Sequence, residues 1–143
     1  MSRIIRSNFL CFHYSFTAVQ VTPDNYAQYY ISQATKLGNL LFVSGQVGAG
    51  EDGELKSKDD FSIQVDQAFL NLEKVLQAGG SNLTQIVKVT IFLTDMKNQF
   101  PFICQARKKY FTIPYPADTI VEVKSLYHPD VKVEIEAIAA IPK

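Results

Sequence analysis

The chain has 143 residues, of which 47% are hydrophobic, and this is enough for one domain with its own core. Fourteen basic and fourteen acidic residues cancel, so the composition gives no electrostatic case for a nucleic-acid partner, since duplex binders usually carry a basic face. No apolar run approaches the length of a transmembrane helix, and we expect no membrane partner.

The two cysteines, Cys11 and Cys104, are too few for a disulfide framework. Neither has metal-ligand spacing with His13 or His128. The pattern favours thiols in a reducing compartment, which predicts a cytoplasmic protein without a metal site.

Residues 1–18 are predicted to form an N-terminal extension to a single domain over residues 19–143. The alternation of Phe12, Tyr14 and Phe16 favours an extra strand or an interface arm. The two arginines of the extension could instead indicate a targeting segment, but its apolar run is short and interrupted by polar residues.

The first half of the domain begins with a predicted strand over residues 19–22, followed by an irregular polar stretch over residues 26–36. Gly38 and Asn39 form a tight-turn signal that leads into a buried strand over residues 40–46. The Ser44-Gly45 pair at the polar end of this strand is also common loop punctuation, so Ser44 could simply satisfy a strand end.

Two helices and a strand follow. A capping box over residues 57–60 predicts a helix to about residue 78, where two glycines end it. A strand is expected within residues 83–93 and a second helix over residues 100–111, with Pro101 in its first turn. The strand is predicted to turn four residues inward: Val87, Val89, Ile91 and Leu93.

Residues 114–126 and 131–139 read as two further strands joined by a polar turn. Period-two alternation places Val131, Val133, Ile135 and Ala137 on one face of the last strand. The other face carries Lys132, Glu134, Glu136 and Ile138. Because an ionised carboxylate is costly in a dry interior, this second face must meet water or a polar cleft.

The predicted order is strand, strand, helix, strand, helix, strand, strand. Strands and helices do not alternate as in a doubly wound sheet, so we expect an α+β sandwich with a mixed sheet and two helices on one face.

Several segments resemble the RidA family, whose members are also called YjgF or L-PSP proteins. The matching positions are Gly38-Asn39, Phe42 to Gln46, Pro116-Ala117, Val121 to Val123, Leu126 and Val133 to Ala139. The resemblance covers about residues 19–141. It implies a chorismate-mutase-like fold, a homotrimer with three small-molecule clefts between its subunits, and no cofactor.

The resemblance also implies which residues form the cleft. Ser44 and Gly45 match positions that line it, and Glu134 matches the catalytic glutamate. Three positions depart from the family pattern. Ile31 stands where a ligand-facing tyrosine is usual, Cys104 where a helix supplies an asparagine, and Asp118 where an arginine grips the substrate carboxylate.

Family deaminases hydrolyse 2-imino or 2-enamino acids to 2-keto acids and ammonia. An ionised Asp118 would repel a substrate carboxylate, by about 1 kcal/mol at 4 Å in water and by more in a partly dry cleft. Asp118 could equally face solvent, paired with a lysine such as Lys124.

Three interpretations stay open. Asp118 and Glu134 could form an acidic cleft for an amine or a neutral ligand. The protein could be an altered deaminase, or a non-catalytic ligand-binding or chaperone-like member of the family. A ribonuclease activity is also attached to the family, but the neutral charge and the lack of a His-His or His-Lys pair give it no support here.

Overall fold

The computed structural model describes residues 15–143, which form one mixed sheet of six strands with two helices. The strands are β1 (Thr17–Ala18), β2 (Ala34–Leu37), β3 (Leu40–Val47), β4 (Ile86–Leu93), β5 (Ala117–Glu122) and β6 (Val133–Ala140). The helices are α1 (Phe61–Ala78) and α2 (Met96–Tyr110), and short 3-10 turns lie at Ala27–Tyr29 and Leu83–Gln85. The predicted alternation at Phe12 and Tyr14 lies outside the described residues.

The spatial order of the strands is β1-β2-β3-β6-β4-β5. Every neighbouring pair is antiparallel except β4 and β5, which run parallel because α2 provides the crossover between them. The last two strands of the chain are therefore not paired with each other, since β4 lies between them. The predicted α+β class is confirmed.

The core lies between the sheet and the two helices. The inward face of β6 is buried as predicted, with Val133, Ile135 and Ala137 all at most 4% exposed. On the helix side, Phe69 of α1 stacks on Tyr110 of α2, with ring centroids 4.4 Å apart. Within residues 15–143, no helix covers the opposite face of the sheet, which carries Glu134 and Glu136.

Each helix begins at an aspartate. Asp60 caps α1 by accepting hydrogen bonds from the backbone N–H groups of Ser62 and Ile63. The predicted capping box over residues 57–60 would start the helix at Ser57, whereas the N-cap is its last residue, Asp60, whose own N–H donates to Ser57 Oγ. Asp95 caps α2, which begins four residues earlier than predicted. Pro101 therefore lies inside the helix rather than in its first turn, and α2 forgoes one backbone hydrogen bond there.

Three strand predictions need correction. The first strand, β1, lies at Thr17–Ala18 rather than at the predicted residues 19–22. Of the predicted residues only Val19 continues the pairing with β2, through its N–H to the Ala34 carbonyl. β2 was missed because its Ala-Thr-Lys-Leu sequence is too short to show a period, and it forms because the Gly38 turn folds it onto β3. A register shift between Ile86 and Lys88 turns Val87 outward.

None of the helices within residues 15–143 is both long enough and apolar enough to cross a membrane.

Candidate active site

A cavity of about 630 Å³ opens beside the end of β3. Its walls come from the segment before β2, from the end of β3 and the loop that follows it, from one side of α1, and from β6. Four of the six residues predicted for the site line this cavity: Ile31, Ser44, Gly45 and Glu134.

Glu134 and Gly45 are brought together by the pairing of β3 with β6. The register of this pair shifts between Val43 and Gln46, and Gly45 lies within the shift. A Cβ atom at residue 45 would overlap Oε1 of Glu134. The carboxylate therefore rests directly on the glycine backbone, and no larger residue fits at position 45 without displacing it.

The Glu134 carboxyl group is half-buried and accepts no hydrogen bond from any residue between 15 and 143. Burial raises its pKa above the usual value of 4.5, and the nearby charge of Glu136 raises the pKa further. A carboxyl group that is unpaired and shifted toward neutral pH is suited to accept and donate protons.

Tyr26 fixes the backbone beside this carboxylate. Its hydroxyl donates a hydrogen bond to the Gly45 carbonyl at 2.6 Å. Burial raises the pKa of Tyr26 well above its usual range, and the charges of Glu134 and Tyr127 add to the rise. Tyr26 is therefore neutral at physiological pH and acts here as a hydrogen-bond donor.

Ser44 and Ile31 have simpler surroundings. The Ser44 hydroxyl donates to the Ser32 carbonyl at 2.7 Å, which ties the strand to the segment before β2. Ser44 therefore has a structural role at the strand end, and it also lines the cavity. Ile31 is 48% exposed and lies at the cavity wall.

Asp118 lies elsewhere in the chain. It pairs with Val89 on β4, whereas Glu134 pairs with Phe92, so the two carboxylates are on opposite faces of the sheet. Arg107 of α2 donates to both Asp118 oxygens, from Nε at 2.8 Å and from Nη2 at 2.5 Å. The alternative that Asp118 pairs with a lysine such as Lys124 was wrong, because its partner is Arg107.

Within one chain the structure therefore does not bring Asp118 to Glu134. Cys104 is exposed on α2 and does not line the cavity either.

The cavity wall carries more negative than positive charge. Glu51, Asp52, Glu54 and Glu134 line it against a single lysine, Lys74, which donates to Glu51 at 2.6 Å. No arginine is among the lining residues that the structure describes. In the same part of the chain, no group of three or more His, Cys, Asp or Glu side chains has a geometry that could hold a metal ion.

Sequence reasoning missed the three tyrosines of the wall, Tyr26, Tyr29 and Tyr127. Tyr26 and Tyr29 fall in the segment predicted as irregular, and Tyr127 falls in a turn 98 residues or more away along the chain. No local pattern links them, because only the tertiary fold places the turn before β6 beside the segment before β2.

These features define a small α+β protein whose β-sheet ends in a cavity with an unpaired glutamate. A family model described as Endoribonuclease L-PSP matches residues 19–141. The chain belongs to this family, which is the RidA family that the sequence motifs resemble.

Relatives with curated descriptions support the assignment. The chain is 44% identical over 119 residues to the RutC family protein YjgH of Escherichia coli strain K12, which covers 82% of this chain and 88% of the relative. It is 36% identical over 110 residues to a protein of Dermatophagoides farinae named 2-iminobutanoate/2-iminopropanoate deaminase, which covers 77% of this chain and 84% of the relative.

Solved structures have the same fold. A structure described as protein YJGH superposes with a TM-score of 0.80 at 42% identity, covering 89% of this chain and 97% of that one. RidA from an Antarctic Psychrobacter species superposes with a TM-score of 0.72 at 35% identity, covering 78% of this chain and 88% of that one.

Proposed function

We propose that this protein hydrolyses imines or enamines to carbonyl compounds and ammonia, with Glu134 as the acid-base group. The observation that carries the proposal is the half-buried Glu134 carboxyl group, which has a raised pKa and lies on Gly45 at the wall of a 630 Å³ cavity. The name of the relative from Dermatophagoides farinae, a 2-imino acid deaminase, supports the reaction type.

The chemistry needs one water and one proton-transfer group. Water adds to the carbon of the protonated imine while Glu134 accepts one proton from the water, which gives a neutral carbinolamine. Glu134 then returns this proton to nitrogen, and the C–N bond breaks as Glu134 takes the hydroxyl proton, so that the carbonyl forms and ammonia leaves. The last proton passes from Glu134 to ammonia or to solvent. An enamine first takes a proton on carbon to become the imine. A carboxyl group whose pKa lies closer to neutral pH is better matched to both directions of transfer.

Recognition of the substrate differs from the family pattern. The family arginine that grips a substrate carboxylate is replaced by Asp118, and both oxygens of this aspartate are occupied by Arg107. Neither residue offers a free bidentate partner to a carboxylate from this position. We therefore propose an altered deaminase rather than one tuned to 2-imino acids.

We also propose that the chain works as a homotrimer. The sheet face opposite the helices exposes Phe42 and Val121 beside the half-buried Phe92 and Ile138, an apolar surface of the kind that marks a protein interface. Sedimentation should give a single species of three times the chain mass. A stable monomer would remove the inter-subunit cleft from the proposal.

The test of catalysis is ammonia release from imines generated in situ by an amine oxidase or amino-acid oxidase. Glu134→Gln should slow the accelerated release by about 100-fold or more, because general acid-base catalysis is lost. Glu73→Gln removes the same charge from α1 outside the cavity and should leave the rate unchanged. Full activity in Glu134→Gln would refute the assigned role.

A wild-type protein that binds imine or amine ligands without accelerating their hydrolysis would instead support the non-catalytic binding member of the family.

A further inference from the structure

Three tyrosines and three glutamates line the same cavity, and one of the glutamates, Glu51, is paired with Lys74. Tyr26, Tyr29 and Tyr127 line it together with Glu54 and Glu134. The ring of Tyr26 is held in place by its hydrogen bond to the Gly45 carbonyl, whereas Tyr29 and Tyr127 are 65% and 71% exposed and lie toward the solvent side.

The side chains at this wall are close enough to influence one another. Burial raises the pKa of Tyr127, and the neighbouring Tyr29, Glu134 and Glu54 raise it further. Burial likewise raises the pKa of Tyr26, and Glu134 and Tyr127 raise it further. The five side chains thus form one aromatic and acidic wall rather than separate features.

Within one chain, the described residues that line the cavity offer no free counter-charge for an anion. Lys74 is the one cationic side chain among the described lining residues, and Glu51 accepts its ammonium hydrogen bond. The described part of the chain contains a single arginine, Arg107, and this side chain is held by Asp118 and by the ring of Phe100 at 5.8 Å.

The same cavity wall is favourable for an organic cation. Tyrosine rings attract an ammonium group through their negative faces, and unpaired carboxylates add a direct charge interaction. A carboxylate-bearing ligand would place a negative group beside Glu54 and Glu134, which costs free energy in a partly dry site.

We propose that this cavity binds organic ammonium and iminium groups that carry no carboxylate, between the tyrosine wall and the carboxylates of Glu54 and Glu134. The inference rests on the proposed function for its catalytic part, since it names the substrate class of the same cavity. The protonated imine is itself such a cation, so ground-state recognition and reaction use the same site.

The first experiment measures binding without turnover, by calorimetry with the full-length chain. Three probes share one ring and differ in charge: benzylamine is cationic, benzyl alcohol is neutral and benzoate is anionic. Benzylamine should bind about tenfold more tightly than benzyl alcohol, because a cation–π contact and a carboxylate contact are added. Benzoate should bind most weakly.

Matched variants locate the binding site. Tyr127→Leu and Glu54→Gln should each lower the affinity for benzylamine several-fold without raising the affinity for benzyl alcohol. Tyr115→Leu and Glu73→Gln are the controls, because Tyr115 is 68% exposed and neither residue lines the cavity. Benzoate binding as tightly as benzylamine, or equal losses in the controls, would overturn the inference.

Hydrolysis separates this inference from the proposed function. The imine of benzaldehyde should be hydrolysed with a higher kcat/KM than 2-iminopropanoate. A preference for 2-iminopropanoate that disappears in Arg107→Ala would mean that Arg107 recognises the carboxylate, which overturns the inference while the hydrolase stands. Selective benzylamine binding with no accelerated hydrolysis of either imine would overturn the hydrolase while the inference stands.

Discussion

Two carboxylates on opposite faces of one sheet have opposite surroundings. Glu134 on β6 is half-buried beside a cavity and accepts no hydrogen bond from the described residues, and its pKa is raised. Asp118 on β5 faces α2, where the guanidinium of Arg107 binds both of its oxygens. We propose that the first exchanges protons with a ligand. The second is part of the scaffold.

The comparison shows that the role of an acidic residue is set by what lies opposite it. The sequence motifs predict a ligand-binding position at Asp118, yet its charge is already matched by Arg107 within the chain. Glu134 matches the family motif and lies against the Gly45 backbone, and no cationic side chain among residues 15–143 pairs with it.

Among substitutions that keep Glu134, the largest effect should come from Gly45→Ala. The added methyl group would overlap the Glu134 carboxylate and move it by an ångström or more, and such a displacement can cost about 100-fold in rate. Imine hydrolysis by purified variants measures this loss. In a Glu134→Gln background the glycine change should cost almost nothing further, because the group that it displaces is already inactive. Additive losses would contradict this coupling.

Charge changes at the Asp118–Arg107 pair should affect stability rather than benzaldehyde imine hydrolysis. The two side chains are 20% and 26% exposed, so breaking the pair with Asp118→Asn should lower the free energy of unfolding by about 1 kcal/mol. Asp118→Arg should lower it by about 2 kcal/mol, because two guanidinium groups then face each other. Urea unfolding at a fixed protein concentration measures both.

The double variant Arg107→Asp/Asp118→Arg is the control for this prediction. It restores opposite charges and should recover most of the lost stability. A double variant no more stable than Asp118→Arg alone would argue against a pairwise interaction.

A smaller effect is expected from Tyr26→Phe. The change removes the hydrogen bond to the Gly45 carbonyl and should cost about 1 kcal/mol in urea unfolding. Tyr115→Phe serves as the comparison, since the Tyr115 hydroxyl makes no hydrogen bond within residues 15–143. Equal losses in the two variants would show that the Tyr26 contact does not stabilise the fold.

The smallest effect concerns pH. Because the pKa of Glu134 is raised in the folded chain, the folded state holds this proton more tightly than the unfolded state. The contribution of the protonated Glu134 to the free energy of unfolding is complete below the unfolded-state pKa, near 4.5. It is lost as pH rises through the folded-state pKa. The thermal unfolding temperature of the wild type should therefore fall relative to that of Glu134→Gln as pH rises over this range. A constant difference would contradict the raised pKa.

Local patterns predicted the part of the fold that depends on periodicity and caps. The alternation of β6 placed Glu134 on the open face, and the glycines after residue 78 marked the end of α1. The four residues of β2 carry too little pattern to predict a strand. Pro101 is typical of a first helical turn, so the sequence predicts a start for α2 that is four residues too late.

The candidate site was only partly predictable. Ser44, Gly45 and Glu134 were found through the family motifs. The tyrosine wall was not, since Tyr127 and Tyr26 meet only in the folded chain. The Arg107–Asp118 pair joins a helix to an edge strand with the side chains eleven positions apart, and no short-range spacing rule covers such a contact.

The Arg107–Asp118 pair also constrains how this lineage can change. A single mutation that places an arginine at position 118 would set it against Arg107, and a single loss of Arg107 would leave an aspartate without its counter-ion. Each first step lowers stability before the second can restore it. The two positions are therefore expected to be epistatic, and replacing Asp118 by an arginine without loss of stability requires paired substitutions or prior stabilisation elsewhere in the chain.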